Sequence, residues 1–410
     1  MPAPLSAQTV ALIKATVPAL EAHGLDITRR MYERMFQTEA IRDLFNQSHQ
    51  GGAASQPKAV AAAVLAYARN IDNLGALGGA VERIAQKHVA LNILPEHYPY
   101  VGEALLGAIG DVLGAAATDE IVAAWGEAYW FLAEILKGRE ATVYREIAAQ
   151  PGGWTGWRDF VVQDTADESD IIRSFVLAPV DGGPVLRHKP GQYLGFALDL
   201  PGVGKLRRNY SISCAPNGRT YRITVKREAA PGLPPGQASN WLHDHARPGA
   251  VLKVAAPAGY FFLDRQSDRP VVLLSGGVGL TPMVSMLETI VAERPSHPTW
   301  WVHGALNGRV HAMRDHVRSL ASQATQTTTS VFYADPLDGD RRGEVYDEAA
   351  LISPDWLARH TPVDEATYYV CGPKPFLRAL VGGLARRGIP AERLRHEFFG
   401  PAEELLDDAA

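Results

Sequence analysis

A glycine-rich turn that follows a buried strand is the first feature of the sequence whose residue types could do chemistry. After Val271-Val-Leu-Leu comes a segment made of Gly277, Val278, Gly279, Leu280, Thr281 and Pro282. Glycines let the backbone approach a pyrophosphate, and a helix that begins there offers free N–H groups. Thr281 is predicted as the N-cap and Pro282 as the first helical residue. The turn therefore predicts a phosphate site, although it lacks the third glycine of G-x-G-x-x-G and also fits an ordinary strand-to-helix turn.

A second turn of this kind lies near the C-terminus. Cys371, Gly372 and Pro373 follow the apolar run Tyr368-Tyr-Val. Both turns stand at carboxyl ends of predicted parallel strands, where ligands bind in such sheets. All three residues are therefore predicted to contact a dinucleotide. The alternative for Cys371 is a buried core thiol.

A third segment could hold a phosphate and a planar ring. It reads Arg208, Asn209, Tyr210, Ser211. An arginine can meet a phosphate as a fork, and a tyrosine can lie flat against a ring. The alternative is a surface strand with an incidental arginine. Near the end of the chain, Glu397-Phe-Phe-Gly-Pro401 is predicted as the last strand of a sheet.

One of the 13 histidines points into an apolar interior. His88 continues the helical stripe of Val81, Ile84 and Ala85. A metal ligand is one interpretation, and a hydrogen-bonded core histidine is the alternative. The only close pair of histidines, His243 and His245, is predicted to lie on the surface.

The periodicity of apolar residues divides the chain into three regions. Helical spacing over residues 57–74, 95–113 and 121–147 predicts an all-α domain over residues 1–150. The period changes to two over residues 154–265, which predicts an antiparallel β-barrel. Buried strands then alternate with helices over residues 269–405, which predicts an α/β domain with an open parallel sheet. The Pro/Gly cluster at residues 150–157 is predicted to be the first boundary.

Composition narrows the class of protein. The chain has 46% hydrophobic and 21% charged residues and a net charge of −5, so no nucleic-acid partner is expected. Two cysteines are too few for a disulfide framework or a thiolate metal cluster. The N-terminus does not resemble a secretory signal, and no apolar run is long enough for a membrane span. A cytoplasmic location is expected.

The order of the motifs in the second half resembles the ferredoxin reductase-like flavoproteins. That resemblance implies FAD on the barrel and NAD(P)H on the sheet domain, with the two glycine turns at the NAD(P)H site. Tyr193 and Tyr210 would line the flavin ring, and Phe399 would close the nicotinamide side. The residues implied at the FAD site are Tyr193, Arg208, Asn209, Tyr210, Ser211, Gln237, Ser239, Phe398, Phe399, Gly400 and Pro401.

With its helical half included, the chain resembles the flavohaemoglobins, in which a globin is fused to such a reductase. The motifs that carry this resemblance are Tyr32-Glu-Arg-Met-Phe, Leu44-Phe-Asn, Ile84-Ala-Gln-Lys-His88, Pro95-Glu-His-Tyr98 and Gly138-Arg-Glu140. The resemblance implies haem b with His88 as the proximal ligand, beside a network with Tyr98 and Glu140. Tyr32 would hydrogen-bond the bound oxygen. The remaining haem-pocket residues would be Phe45, Gln56, Val60 and Lys87, the last of them pairing with a propionate.

The sequence departs from the family pattern at three positions. Val60 replaces the usual leucine, Leu280 replaces a polar residue, and Phe398 replaces a cysteine. The first difference bears on the volume of the haem pocket, and the other two bear on cofactor affinity.

The implied activity is that of a nitric oxide dioxygenase, which converts NO and O₂ to nitrate at the expense of NAD(P)H. A globin sensor or oxygen carrier and a broad NAD(P)H-dependent reductase are the alternatives. The expected partners are the substrates alone, without an obligatory protein partner, and the apolar distal pocket would also admit a lipid-like ligand. The choice between NADH and NADPH stays open.

Overall fold

The structure is a computed structural model that describes residues 3–45, 55–229, 232 and 234–399. Its first part is helical, as the 3.6-residue periodicity predicts. The helices are α1 (Ala7–Ala15), α2 (Val17–Met35), α3 (Glu39–Arg42), α4 (Ser55–Arg69), α5 (Gly78–Ala90), α6 (Tyr98–Leu113) and α7 (Asp119–Ala148). Their apolar faces enclose one core, to which α2, α6 and α7 contribute Met31, Leu105 and Trp125.

Local signals explain most of the helix ends. Thr118 caps α7 by accepting a hydrogen bond from the Ile121 N–H, and the 30 residues of that helix extend about 45 Å. The predicted helix over 57–74 ends earlier, because α4 stops at Arg69. There the Asn70 side chain donates to the Ala66 carbonyl and competes with the backbone for that partner.

The second part is an antiparallel sheet that closes on itself. Its strands are β1 (Arg158–Ser169), β2 (Ile172–Pro179), β3 (Tyr193–Leu200), β4 (Gly204–Ser211), β5 (Tyr221–Lys226) and β6 (Val251–Val254), in the order β4-β3-β6-β1-β2-β5. A bridge between Ile212 and Ile223 joins the end of β4 to β5 and closes the barrel. Helix α8 (Gln237–His245) covers part of its core.

The predicted surface position of His243 is wrong. Its side chain is buried, and its Nε2 atom lies 2.9 Å from the Val225 carbonyl on β5. The ring also meets Phe175 edge to face. A turn of α8 therefore lays this histidine on the barrel, a contact that the His-x-His spacing could not indicate.

The third part is a parallel sheet between two layers of helices. Its strands are β7 (Val271–Gly276), β8 (Thr299–Ala305), β9 (Thr327–Tyr333), β10 (Thr367–Cys371) and β11 (Leu394–Glu397), in the order β11-β10-β7-β8-β9. Its helices are α9 (Leu280–Glu293), α10 (Arg314–Gln323), α11 (Pro354–His360) and α12 (Lys374–Arg386). One apolar cluster lies under α9 and α10, and a second lies under α11 and α12. The expected order of an all-α, a barrel and an α/β region is confirmed.

The Pro/Gly segment between α7 and β1 is closely packed. A Cβ on Gly153 would lie 1.8 Å from the Ile147 carbonyl oxygen, and one on Gly152 would lie 2.5 Å from the Val185 backbone. Trp154 then donates to the Val254 carbonyl on β6 at 3.1 Å. The chain thus leaves the helical part through a fixed loop. Throughout the described ranges, no helix combines the length and apolarity needed to cross a bilayer.

Candidate functional site

Three polar side chains from three helices meet at the predicted metal-ligand position. The Nδ1 atom of His88, on α5, lies 2.7 Å from Oε1 of Glu140 on α7. The hydroxyl of Tyr98, at the start of α6, donates to the same carboxylate oxygen at 2.5 Å. Tyr98 and Glu140 are buried, and burial together with the nearby carboxylate raises the pKa of Tyr98 far above its usual value. The tyrosine therefore stays protonated and serves as a donor.

This contact decides which nitrogen of His88 can bind a metal. Because the Glu140 carboxylate accepts a hydrogen bond from Nδ1 of His88, Nδ1 carries the proton and the free lone pair of the ring lies on Nε2. A carboxylate behind a ligating imidazole also increases its basicity as a ligand. The His88 side chain keeps 29% of its surface exposed, whereas the Glu140 side chain keeps 3%. A partly exposed imidazole with a buried carboxylate behind it suits a ligand of haem iron.

Aromatic residues from α2 and the turn after α3 stand together in the helical core. Tyr32 lies 5.4 Å from Phe36 and 5.5 Å from Phe45 between ring centroids. The Tyr32 side chain is buried, while Phe45 and Val60 are only partly buried although they border the core. Gln56 lies on α4, one turn before Val60.

Several large apolar side chains of the helical part share this partial burial. The set is Phe36, Phe45, Val60, Val64, Ile84, Ile93 and Val101. A large apolar ring system could cover such side chains, and the partly exposed His88 imidazole could supply a ligand to its iron. The residues present therefore fit a haem.

Lys87 lies toward the reductase. Burial raises the pKa of the Glu397 carboxyl to about 7, and the positive charges of Lys87 and Arg83 oppose that rise. Lys87 thus acts electrostatically on a carboxylate at the end of β11. The pairing of Lys87 with a haem propionate stays a prediction.

The predicted flavin residues of the barrel lie on paired strands. Tyr193 on β3 is opposite Ser211 on β4, and Leu194 is opposite Tyr210. Tyr193 is buried, and its hydroxyl has no hydrogen-bond partner within the described part of the chain. Burial lowers the pKa of the Arg208 guanidinium. A half-buried guanidinium and a buried hydroxyl without a partner are both polar groups that a bound FAD could satisfy, the guanidinium through the FAD phosphates.

The other predicted flavin residues are spread along the chain. Asn209 is exposed on β4, and Gln237 begins α8. Ser239 accepts from the Glu228 N–H at 3.1 Å and is buried. Phe398 packs partly against the sheet domain, and Phe399 is 47% exposed. Gly400 and Pro401 lie outside the described residues.

The two glycine turns adjoin each other because β7 pairs with β10. Cys371 is opposite Ser275 in that register. A Cβ on Gly279 would lie 2.3 Å from the Cys371 carbonyl oxygen, and one on Gly372 would lie 2.7 Å from the Phe376 ring. Gly277 has a φ of 53°, which favours glycine. The turns therefore form one continuous backbone surface at the carboxyl ends of the strands.

Two details of these turns differ from the sequence-based picture. The predictions that Thr281 caps the helix and that Pro282 is its first residue are wrong, because α9 begins at Leu280, Gly279 is its N-cap and Pro282 is its third residue. The Thr281 hydroxyl donates to the Val278 carbonyl. The reason is that a 3₁₀ turn over Gly277–Gly279 continues directly into α9. The side chains of Leu280, Thr281 and Pro282 are consequently buried, as is Cys371. Burial raises the pKa of the Cys371 thiol, which behaves as a core residue.

Glu397 was named in the sequence only as the start of the predicted last strand, and that limit is wrong because β11 ends at Glu397. It ends β11 directly opposite Cys371, it is buried, and its Oε2 atom has no hydrogen-bond partner among the described residues. Its charge also raises the pKa of Tyr193, so the two side chains are neighbours. The available signal was a carboxylate that ends a buried strand beside a cofactor motif.

Known proteins match both halves of the chain. The globin family model matches residues 29–136, and the model described as oxidoreductase NAD-binding domain matches residues 273–381. A curated flavohemoprotein of Xylella fastidiosa strain 9a5c is 50% identical over 99% of this chain and 100% of its own length. This chain belongs to the flavohemoprotein family, the flavohaemoglobins. A flavohemoprotein of Rhizobium meliloti is 45% identical over 97% of the chain.

Solved structures agree with this flavohemoprotein in overall fold. A flavohemoglobin of Malassezia yamatoensis, crystallised with bound FAD and haem, matches with a TM-score of 0.83 at 25% identity and covers 97% of the chain and 100% of its own length. The FAD/NAD-binding domain of a nitric oxide dioxygenase of Vibrio cholerae matches with a TM-score of 0.54 at 35% identity and covers 60% of the chain and 99% of its own length. The expected haem and flavin are thereby confirmed as cofactors of the family.

Proposed function

We propose that this chain is a nitric oxide dioxygenase that uses NAD(P)H to convert NO and O₂ to nitrate. The observation that carries the proposal is the buried Glu140 carboxylate on Nδ1 of His88, with Tyr98 donating to the same oxygen. An oxygen carrier needs only a neutral partner behind its proximal histidine. A carboxylate increases the electron density that the imidazole gives to iron, which favours activation of O₂.

The cofactors would supply the redox steps. When bound, FAD takes a hydride from NAD(P)H and passes on single electrons, and haem iron uses them to activate O₂. His88 would ligate the iron through Nε2. Tyr98 and Glu140 would hold the imidazole ring in one orientation and keep its proton at Nδ1.

The distal residues would orient the substrates. Tyr32 on α2 would donate a hydrogen bond from its hydroxyl to a polar ligand, since the hydroxyl is carried on a ring fixed by Phe36 and Phe45. Gln56 and Val60 on α4 would line the same space. The apolar character of the pocket would exclude water, and it would also accept a lipid-like ligand.

The reductase residues would bind the two other cofactors. Arg208, Ser211, Gln237 and Ser239 would hold the FAD phosphates, while Tyr193 and Tyr210 would flank its ring. The residues at the NAD(P)H pyrophosphate would be Gly277, Val278, Gly279, Leu280, Thr281, Pro282, Cys371, Gly372 and Pro373, those with buried side chains acting through their backbone. Phe398 and Phe399 would border the nicotinamide.

The proposed function also assigns the chain to three domains. The globin would span residues 1–150, the FAD domain 154–265 and the NAD(P) domain 269–405. A cytoplasmic location follows from the need for a supply of NAD(P)H.

The test is to measure NO consumption and NAD(P)H oxidation together, in air, with the purified full chain carrying haem and FAD. Two NO should disappear for each NAD(P)H, with nitrate as the product, because each NO needs one electron besides O₂. NAD(P)H oxidation that does not respond to NO would identify a broad reductase. Reversible O₂ binding without nitrate would identify a carrier or sensor.

A further inference from the structure

One face of the flavin barrel rests on the end of the helix that carries His88. A Cβ on Gly195, in β3, would lie 1.8 Å from the carbonyl oxygen of Ala90, so the two backbones touch. On the neighbouring strand β4, the Arg207 guanidinium donates to the carbonyl oxygens of Leu91 and Asn92. Arg207 pairs with Ala197, two residues beyond Gly195, so both contacts come from the same face of the β3–β4 pair.

The C-terminal end of α5 is a favourable position for such a cation. The last carbonyls of a helix lack partners within it, and together they form the negative end of its dipole. At this end Asn92 has a φ of 51°, and the Ile93 N–H donates to the His88 carbonyl at 2.9 Å. The carbonyls of Leu91 and Asn92 are then turned toward the barrel, where Arg207 meets both.

Arg207 is held firmly in this position. Its guanidinium carbon lies 5.4 Å from the centroid of the Trp157 ring, in the loop that enters the barrel. Alternation along β4 sends its side chain to the opposite face from Arg208 and Tyr210. Its hydrogen bonds to Leu91 and Asn92 place Arg207 in the contact with the globin, whereas Arg208 belongs to the proposed flavin site.

The same helix touches the proposed flavin ring site. Tyr193 packs against Ala90 and Ala258, and Ala90 is two residues from His88. The Gly259 N–H also donates to the Gln86 side-chain oxygen at 3.1 Å. A small displacement of the barrel along α5 would thus change the separation between the flavin and haem sites directly.

We propose that Arg207 is a positioning residue that latches the flavin barrel onto α5 and thereby sets the rate of electron transfer from flavin to haem iron. This inference rests on the proposed function. In each transfer one electron leaves the reduced flavin and converts ferric iron to ferrous iron, and the second electron follows in the next cycle. Arg207 takes up no electron or proton.

The experiment follows both reductions separately by anaerobic stopped-flow spectroscopy, with the full chain carrying haem and FAD. In Arg207→Gln, flavin reduction by NADH should stay within about twofold of the parent protein. Haem reduction should slow by about tenfold or more. The reason is that loss of a hydrogen bond from a charged group shifts the equilibrium between the barrel held against α5 and the displaced barrel by about that factor. Arg207→Lys keeps the charge but replaces the planar guanidinium by a more flexible ammonium group, so its rate of haem reduction should lie between those of the parent and Arg207→Gln.

Two further variants separate the latch from a general loss of charge or fold. Lys205→Gln removes a cation from an exposed position on the same strand and should leave both rates unchanged. Gly195→Ala leaves Arg207 in place but inserts a methyl group against Ala90, and it should slow haem reduction in the same way. Amide hydrogen exchange at Leu91–Ile93 should speed up in Arg207→Gln, a result that does not depend on turnover.

Two results would overturn the proposed latch, and a third would overturn the proposed function. Haem reduction and amide exchange in Arg207→Gln equal to those of the parent would exclude a latch, even if the parent consumes NO. An equal slowing in Lys205→Gln would show that net charge, not the contact, matters. If the parent reduces its flavin but never its haem, the proposed function fails instead.

Discussion

Glu140 and His88 are 52 residues apart, yet the carboxylate Oε1 of Glu140 lies 2.7 Å from Nδ1 of His88. A carboxylate buried to this degree is costly unless donors surround it. Here the histidine and Tyr98 both donate to it, and Tyr98 is itself fixed because Tyr129 donates to its carbonyl oxygen at 2.5 Å. The arrangement therefore holds a negative charge directly behind the proposed iron ligand.

Replacing that charge by a neutral group of the same shape should weaken the electron donation of His88. In Glu140→Gln we expect a lower Fe–His stretching frequency in the ferrous protein, and NO dioxygenation that slows more than flavin reduction does. Resonance Raman spectroscopy and stopped-flow kinetics measure the two effects. The matched control is Glu134→Gln on the same helix, because Glu134 is about half exposed and pairs with the surface residue Lys137. An unchanged stretch in Glu140→Gln would refute the electronic role.

Removing the Tyr32 hydroxyl should speed the release of O₂. A hydrogen bond to a charged acceptor contributes about 1.5–3 kcal/mol, so Tyr32→Phe should raise the O₂ dissociation rate about ten- to a hundredfold. Flash photolysis or ligand displacement gives this rate. Tyr100→Phe, at an exposed position on α6, is the control and should leave it unaltered. If Tyr32→Phe also releases O₂ at the parent rate, Gln56 becomes the candidate donor.

The pKa of Glu397 predicts a dependence of stability on pH. Burial raises that pKa to about 7, so the folded protein holds a proton that the unfolded chain loses near pH 4.5. The contribution of this bound proton to the stability of the folded protein is fully present below pH 4.5 and is lost as the pH rises through 7. A shift of this size corresponds to about 3 kcal/mol. The free energy of unfolding of the reductase should therefore fall between pH 4.5 and 7 in the parent protein. In Glu397→Gln this fall should be smaller by about 3 kcal/mol, which denaturant titration at the two pH values measures.

A control variant and one contrary outcome complete the test of Glu397. Asp264→Asn, at a half-exposed carboxylate near β11, should keep the pH profile of the parent. A profile in Glu397→Gln that equals the parent profile would mean that the carboxylate is already ionised at pH 5 in the folded protein.

A methyl group in the NAD(P)H turn should damage coenzyme binding without touching the haem. The Cβ of Gly279→Ala would lie 2.3 Å from the Cys371 carbonyl oxygen, so the two turns must separate. Overpacking of this kind costs about 1–3 kcal/mol, and we expect the KM for NADH to rise about tenfold or more. Gly339→Ala is the control, because no atom of the described residues lies within 4 Å of the Cβ position at Gly339. Diaphorase assays decide the question, and an unchanged KM in Gly279→Ala would contradict the proposed coenzyme site.

Periodicity was sufficient for the architecture and for the orientation of His88. Apolar residues at helical spacing put His88 on the apolar stripe of α5, and alternation along β3 and β5 predicts the barrel, because both patterns depend on which face of one element is covered. The two glycine turns were also found from sequence, since a strand-turn-helix junction is a local structure. The limits of single elements were less accurate, as Thr281 and the end of α4 illustrate, because side chains and adjoining turns compete for the same backbone groups.

Partners across the fold were decided only by tertiary structure. A periodic pattern tells which face of an element is buried but not which side chain of another element it meets. The approach of Glu140 to His88 depends on how α5, α6 and α7 cross, and the resemblance to a family suggested it where spacing alone could not. The burial of His243 and the contact of Arg207 with the end of α5 had no signal in the sequence. Each joins residues brought together by the packing of whole elements, which local preferences do not encode.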